Sequence, residues 1–341
     1  MNERFINALQ HRPQKVPPIW FMRQAGRYHS HYRALRERHS FIELCKNPEL
    51  ACEVTMGPIR EFDYDVAILF SDLLFPLEAL GFPLNYDKGP PELGWKLTKD
   101  SLSQFKPLES AVQQLDFQKQ ALQQIRSALP TNKSLIGFIG GPFTLFTYAL
   151  GAEKAERLFE AKSQFGLFQQ FCELLIPLLR NNIELQIAGG AEVVMIFEST
   201  GGSLSPFQYE QYCIPAIKNL SAGFESKVAY YLRESTETHV LEVQKALPDL
   251  AGIGVDHRFN LASLLARHPR GFLQGNFDQA LLFLDKDSLK KELALYLRPL
   301  LQLPPESRCG WVCGLGHGVL PKTPQDNVKI FIDEVRKAFS A

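Results

Sequence analysis

Eight short apolar segments recur along the chain, separated by longer segments with the hydrophobic spacing of helices. The apolar segments cover residues 16–21, 66–70, 135–139, 192–197, 227–232, 250–255, 271–274 and 310–313. Several of them are apolar almost throughout, which is typical of parallel strands buried on both faces. Eight such alternations predict an α/β fold, a single (β/α)8 TIM barrel domain over residues 1–341.

The predicted helices cover residues 48–61, 110–128, 154–185, 206–222, 237–246, 287–297 and 324–339. Three of them start at favourable capping pairs, namely Asn47-Pro48, Ser205-Pro206 and Thr323-Pro324. Residues 85–96, which are rich in Gly and Pro, are predicted to form a long loop after the second strand.

The overall composition favours neither a nucleic acid nor an acidic membrane as a partner. The 341 residues include 37 Lys and Arg against 37 Asp and Glu, which gives a formal net charge of zero. No uncharged apolar run reaches the roughly 18 residues that span a membrane, and we see no signal peptide. Six scattered cysteines are typical of reduced thiols in a cytoplasmic protein.

Positive charge is concentrated near the N-terminus, where the first predicted strand leads directly into Arg23 and Arg27. Residues 1–41 hold only two acidic residues, Glu3 and Glu37, against Arg4, Arg12, Lys15, Arg23, Arg27, Arg33, Arg36 and Arg38. A guanidinium group offers a planar fork of donors that matches a carboxylate or a phosphate. The segment is therefore either a solvated basic arm or, at the two strand-end arginines, an anion site.

Polar residues follow several other strands, at the end of a barrel where active sites lie. Candidates are Asp72 after the second strand, Tyr148 beyond the third, Ser199 after the fourth and His317 after the eighth. Asp72 is equally well explained as a helix cap.

A metal site is not expected at the repeat of Cys309, Cys313 and His317. Positions i and i+4 on one strand lie about 13 Å apart, so we interpret the cysteines as core thiols. We therefore expect no metal.

The segment Trp20-Phe21-Met22-Arg23-Gln24-Ala25-Gly26-Arg27-Tyr28 resembles the uroporphyrinogen decarboxylase family. Further matches follow in family order, at Phe70-Ser71-Asp72, Gly140 to Leu145 with Tyr148, Phe197-Glu198-Ser199, Gln274 to Asp278 and Leu315 to Gly318. The resemblance implies a cytosolic homodimer without metal or organic cofactor. It implies decarboxylation of the four acetate side chains of uroporphyrinogen III to methyls, giving coproporphyrinogen III.

The resemblance also implies residue roles. The catalytic residues would be Asp72, Arg23 and Tyr148. The substrate-binding residues would be Arg23, Arg27, Arg36, Asp72, Tyr148, Ser199, His317, Phe197 and Met22. Asp72 would accept hydrogen bonds from the pyrrole N–H groups. Arg23 would be either the proton donor or, since a guanidinium is a poor acid, a group that positions a carboxyl or a water.

Two other functions stay open at this stage. A methyltransferase on a related barrel would need a zinc thiolate site, typically His-x-Cys, and the chain contains no His-x-Cys. A tetrapyrrole carrier would use the same arginines without turnover. The chain departs from the usual family pattern at Phe143, His257, Gly314 and residues 85–96, which affects expected rim contacts more than the chemistry.

Overall fold

The computed structural model describes residues 1–86, 91–267 and 270–340. Its strands are β1 (Val66–Ile68), β2 (Leu84–Asn85), β3 (Glu92–Leu93), β4 (Ser134–Gly140), β5 (Val193–Glu198), β6 (Val228–Leu232), β7 (Gly252–Gly254), β8 (Phe272–Phe277) and β9 (Trp311–Leu315). Seven of them form one parallel sheet in the order β1-β4-β5-β6-β7-β8-β9. β2 and β3 form a separate antiparallel pair.

Helices occur in every connection between consecutive strands of the large sheet. They are α1 (Glu3–Leu9), α2 (Ser30–Arg36), α3 (Phe41–Lys46), α4 (Pro48–Phe62), α5 (Phe75–Leu80), α6 (Leu108–Gln113), α7 (Asp116–Ala128), α8 (Pro142–Leu150), α9 (Leu158–Lys162), α10 (Phe165–Ala188), α11 (Pro206–Gln208), α12 (Ile214–Ser221), α13 (Glu237–Ala246), α14 (Leu261–Leu265), α15 (Lys286–Leu301) and α16 (Gln325–Ser340). Among the helices of the described ranges, none is both long and apolar enough to cross a membrane.

Alternate strand residues enter two different cores, because successive side chains of a strand point to opposite faces. On β5, Val194 and Ile196 belong to the large core that includes the helices. Val193, Met195 and Phe197 belong to a second core, which also contains Trp20. The second core collects inward residues from β1, β4, β5, β6, β8 and β9, so the sheet is curled around it.

The first predicted strand is not a regular strand, although it bonds to both edges of the sheet. The amide of Trp20 donates to Cys313 O at 3.0 Å, and the amide of Cys313 donates to Pro18 O at 2.9 Å. On the other side, the amide of Asp65 donates to Ile19 O at 3.1 Å. Pro17 and Pro18 have no N–H to donate, so a longer ladder cannot form here. The large sheet therefore has seven strands where eight were predicted.

Gly314 allows this segment to approach β9 closely. A Cβ on Gly314 would lie 2.3 Å from the carbonyl oxygen of Trp20 and 2.8 Å from Nε2 of Gln274. The departure from the family pattern at this position thus coincides with tight backbone packing at the edge of the sheet.

The other seven predicted strands are present, with boundaries shifted by one to three residues. The predicted helix 154–185 is divided into α9 and α10, and 110–128 into α6 and α7. Asn47 and Ser205 cap their helices as predicted. Part of the predicted loop 85–96 forms the β2–β3 pair, and its residues 87–90 lie outside the described residues.

Asp65 anchors the N-terminal segment, and its removal should destabilise the fold. Its buried carboxylate accepts hydrogen bonds from the amide of Ile19 at 2.8 Å and from Asn2 Nδ2 at 3.1 Å, and it pairs with Arg4. Asp65→Ala leaves these donors unpaired, so we expect the free energy of unfolding in urea to fall by about 3 kcal/mol. Asp333→Ala, at an exposed position of α16, should change it by less than about 0.5 kcal/mol. Equal values for the two variants would contradict this anchoring role.

Candidate active site

Arg23, Asp72, Tyr148 and His317 lie near one another at the carboxyl ends of the strands. The charge of Arg23 acts on Asp72, Tyr148 and His317. These side chains come from four different parts of the chain: the N-terminal segment, the end of β1, α8 and the end of β9. The curled sheet is what brings them together.

The side chain of Arg23 lies against the protein surface. Its side chain is accessible to solvent, although protein atoms surround it on most sides. Desolvation lowers the pKa of Arg23, Arg233 and Arg27 lower it further, and Tyr148 and Asp72 oppose the shift. The backbone at Arg23 has a φ of 59°, a left-handed conformation that non-glycine residues rarely adopt. This strained turn directs the residue out of the strand-like segment.

Gly318 supplies the surface on which Arg23 rests. A Cβ added to Gly318 would lie 2.5 Å from Cδ and 2.7 Å from Cγ of Arg23. Any side chain at this position would push the middle of the Arg23 side chain, not its flexible tip.

Asp72 uses one oxygen for local structure but does not cap α5, because the helix begins at Phe75 after Leu74 and has no side-chain cap. Oδ1 accepts a hydrogen bond from the amide of Leu74 at 2.8 Å, just ahead of α5. Burial raises the pKa of Asp72, while the Leu74 amide, Tyr86 and Arg23 act in the opposite direction. The bond to Leu74 uses only one of the two carboxylate oxygens.

His317 is a neutral imidazole at pH 7. Burial lowers its pKa to about 4, and the positive charges of Arg23 and Arg233 contribute to the shift. It can therefore take part in hydrogen bonds, but it does not add a positive charge to the site. Tyr148 stays protonated as well, because burial and the nearby Asp72 raise its pKa.

A buried network fixes Ser199 relative to α8, the helix that carries Tyr148. The carboxylate of Glu198 accepts hydrogen bonds from the hydroxyl of Thr144 and from the amide of Phe143, the latter at 3.1 Å. Thr144 Oγ1 in turn accepts from the amide of Ser199 at 2.7 Å. Burial raises the pKa of Glu198 to about 7, and these hydrogen bonds limit the shift.

The floor of the site is apolar. Met22 packs against the second core, of which Phe197 is a buried member. The ring centroid of Phe197 lies 5.6 Å from that of Phe138 and 5.9 Å from that of Tyr231. Both residues predicted as apolar walls thus belong to or pack against the second core.

The basic residues are not all in one place. Arg27 is exposed and close enough to Arg23 to act on its pKa. Arg36 lies further out, at the end of α2, where Nη1 donates to the carbonyl oxygen of His39 at 2.5 Å. Arg233, which follows β6 directly, is a site residue that the sequence analysis does not predict. Its position at a strand end was the available signal.

The thiols predicted to be structural lie in the core. Cys313 is fully buried in β9, and Cys309 is 6% exposed. All six cysteines are unpaired. In ranges 1–86, 91–267 and 270–340, no three His, Cys, Asp or Glu side chains are grouped so as to hold a metal ion.

Comparison with known sequences gives a consistent result. The family model described as Uroporphyrinogen decarboxylase (URO-D) matches residues 1–338. A protein named uroporphyrinogen decarboxylase from Myxococcus xanthus is 35% identical over 363 residues, covering 99% of this chain and 97% of the relative. Another with that name, from Solibacter usitatus, is 32% identical over 346 residues and covers 99% and 98%.

Solved structures support the fold alone. A methyltransferase from Methanosarcina mazei has a TM-score of 0.79 at 17% identity, and covers 99% of this chain and 98% of its own. A B12-independent methionine synthase from Shewanella sp. W3-18-1 has a TM-score of 0.53 at 12% identity, with 86% of each chain covered.

Glu198 should make stability depend on pH. Its pKa is about 7 in the folded protein against 4.5 in the absence of burial, so the folded state holds the proton more tightly. The stability of the wild type relative to Glu198→Gln should therefore fall, by up to about 3 kcal/mol, as pH rises from about 5 to 7, and then level off. Urea unfolding of both proteins across this range measures the difference. A pH-independent difference between the wild type and Glu198→Gln would contradict the assignment.

Proposed function

This chain belongs to the uroporphyrinogen decarboxylase family, and we propose that its site removes the four acetate carboxyl groups of uroporphyrinogen III to give coproporphyrinogen III. The observation that carries the proposal is the position of Asp72. Its carboxylate lies beside Arg23, at the strand ends near the apolar second core, and the Leu74 amide uses only one of its two oxygens.

The substrate has three chemical features that such a site can distinguish. Its eight carboxylates need cations and donors, which Arg23, Arg27 and Arg233 supply on one side. Its four pyrrole N–H groups need an acceptor, and Asp72 is the carboxylate that the site offers. The ring faces need apolar surface, which Met22 and Phe197 provide. Arg36 would meet a carboxylate only toward the outer rim.

Decarboxylation requires an electron sink, which the pyrrole itself supplies. Protonation of the ring carbon next to the acetate-bearing carbon forms an iminium-like cation. The bond to the carboxylate then breaks, carbon dioxide leaves, and the electron pair neutralises the cation as an exocyclic methylene. Protonation of the methylene and loss of the first added proton give a methyl group, so each acetate consumes one proton.

Each residue has a role that its environment permits. The carboxylate of Asp72 stabilises the transient positive ring, as preorganised charges stabilise transition states generally. Arg23, which stays charged, holds the reacting carboxylate or the water that delivers the proton. Tyr148 and Ser199 donate hydrogen bonds to the acetate, and neutral His317 bonds to another side chain of the substrate.

The proposal also includes a closed barrel, a cytosolic location and a homodimer. Residues 18–20 would take the place of the eighth strand in a single (β/α)8 barrel domain. Their hydrogen bonds with Cys313 and Asp65 support this role. The enzyme would act in the cytosol as a homodimer, and sedimentation at micromolar concentration tests the dimer.

The product assay tests the proposed activity directly. Purified protein is incubated with chemically reduced uroporphyrinogen III in the dark, and the products are oxidised and separated by chromatography. We expect coproporphyrin with transient seven-, six- and five-carboxyl intermediates. Unchanged substrate at high enzyme concentration would contradict the proposal.

Asp72→Asn distinguishes an enzyme from a carrier. The amide keeps the shape but loses the negative charge, so kcat should fall by about 100- to 1000-fold, with a much smaller change in KM. Asp333→Asn in α16 is the matched control and should keep full activity. Loss of substrate binding at unchanged turnover would instead indicate a positioning site without catalysis by Asp72.

Gly318→Ala tests the packing of Arg23. The new methyl group would overlap with Cδ and Cγ of Arg23 and displace its guanidinium, so kcat/KM should fall about tenfold or more. Gly166→Ala adds a methyl group with no atom within 4 Å and should leave kcat/KM unchanged. If both variants retain wild-type kcat/KM, the position of Arg23 is not critical.

A further inference from the structure

Tyr86, the residue that follows β2, presents a buried hydroxyl beside Asp72. The oxygen is enclosed by protein and has no hydrogen-bond partner at ordinary geometry among the described residues. Burial, and after it the negative Asp72 carboxylate, raises the pKa of Tyr86 far above its usual value. The phenol therefore keeps its proton and can only donate toward the carboxylate.

The ring of Tyr86 is held in place without help from the hydroxyl. Its centroid lies 4.7 Å from that of Phe41 in α3. Phe41 in turn makes an edge-on contact with Phe70 at 5.9 Å, and Phe70 precedes Asp72 by two residues. This chain of aromatic contacts connects the β2–β3 pair to the end of β1, so the position of Tyr86 is fixed relative to Asp72.

The other groups around Asp72 do not supply a buried hydroxyl donor to its second oxygen. The amide of Leu74 occupies Oδ1. Arg23 acts on Asp72 through its charge, Glu78 in α5 repels it, and Cys45 in α3 feels its charge. Tyr148 on α8 is likewise affected by its charge. After the Leu74 amide, the hydroxyl of Tyr86 is the neighbouring group that most counteracts the effect of burial on the pKa of Asp72.

We propose that Tyr86 is a positioning residue for the decarboxylation: its hydroxyl donates to the Asp72 carboxylate and orients it toward the macrocycle. The proposal rests on the proposed function. It assigns Tyr86 no contact with the substrate, and its effect on catalysis passes entirely through Asp72.

Tyr86→Phe removes the hydroxyl and keeps the ring on Phe41. A hydrogen bond to a charged group has an effect of about tenfold, so kcat should fall about tenfold while KM changes by less than about twofold. The acid limb of the kcat/KM profile should move about one unit to higher pH, since Asp72 loses a donor that favours its charged form. Tyr212→Phe, which removes the hydroxyl of a half-buried tyrosine stacked on Phe165, should change neither quantity.

Tyr86→Ala separates the hydroxyl from the ring. It should lower the melting temperature as well as kcat, whereas Tyr86→Phe should keep the wild-type melting temperature. If Tyr86→Phe has wild-type kcat and an unshifted acid limb, the proposal is wrong even though the enzyme is active. If the wild type itself forms no coproporphyrinogen, it is the proposed function that fails.

Discussion

The hydrogen bonds of residues 18–20 are the constraint on which the site depends. This short segment bonds to Cys313 on one edge of the sheet and to Asp65 beside the other edge. It thereby joins the first and last strands of the curled sheet and places Arg23 at their carboxyl ends. The left-handed backbone at Arg23 and the bare surface of Gly318 then set the direction of the guanidinium. Without these hydrogen bonds, the arginines would lie on an N-terminal arm that is not attached to the sheet.

The second constraint is the balance of charge over an apolar floor. Arg27 and Arg233 both act on Arg23, while the nearby imidazole of His317 is neutral and the phenol of Tyr148 is protonated. Burial raises the pKa of Asp72, and the Leu74 amide, the Tyr86 hydroxyl and the charge of Arg23 oppose that shift. A substrate with carboxylates at its edge and N–H groups at its centre complements this arrangement in both respects.

Much of this could be predicted from the sequence, because the strands are short apolar runs with clear boundaries. The seven strands β1 and β4 to β9, and the positions of Asp72, Tyr148 and His317 beyond strand ends, follow from that pattern. The irregular first segment could not be predicted so easily, since Pro17 and Pro18 are compatible with an edge strand until their missing donors are counted. Tyr86 was missed because its importance depends on Phe41 and Asp72, which are distant in sequence. The structural role of Glu198 could not be predicted either, because it depends on a hydrogen bond from Thr144, which is distant in sequence.

The central claim is that Asp72 accepts hydrogen bonds from the centre of the macrocycle while the arginines bind its periphery. A crystal structure of the protein with coproporphyrinogen III, grown under reducing conditions, tests this most directly. The account predicts pyrrole nitrogens within about 2.7–3.2 Å of the Asp72 carboxylate, and product carboxylates on Arg23 or Arg27. A macrocycle bound with its pyrrole nitrogens away from Asp72, or with a carboxylate in its place, would contradict the account.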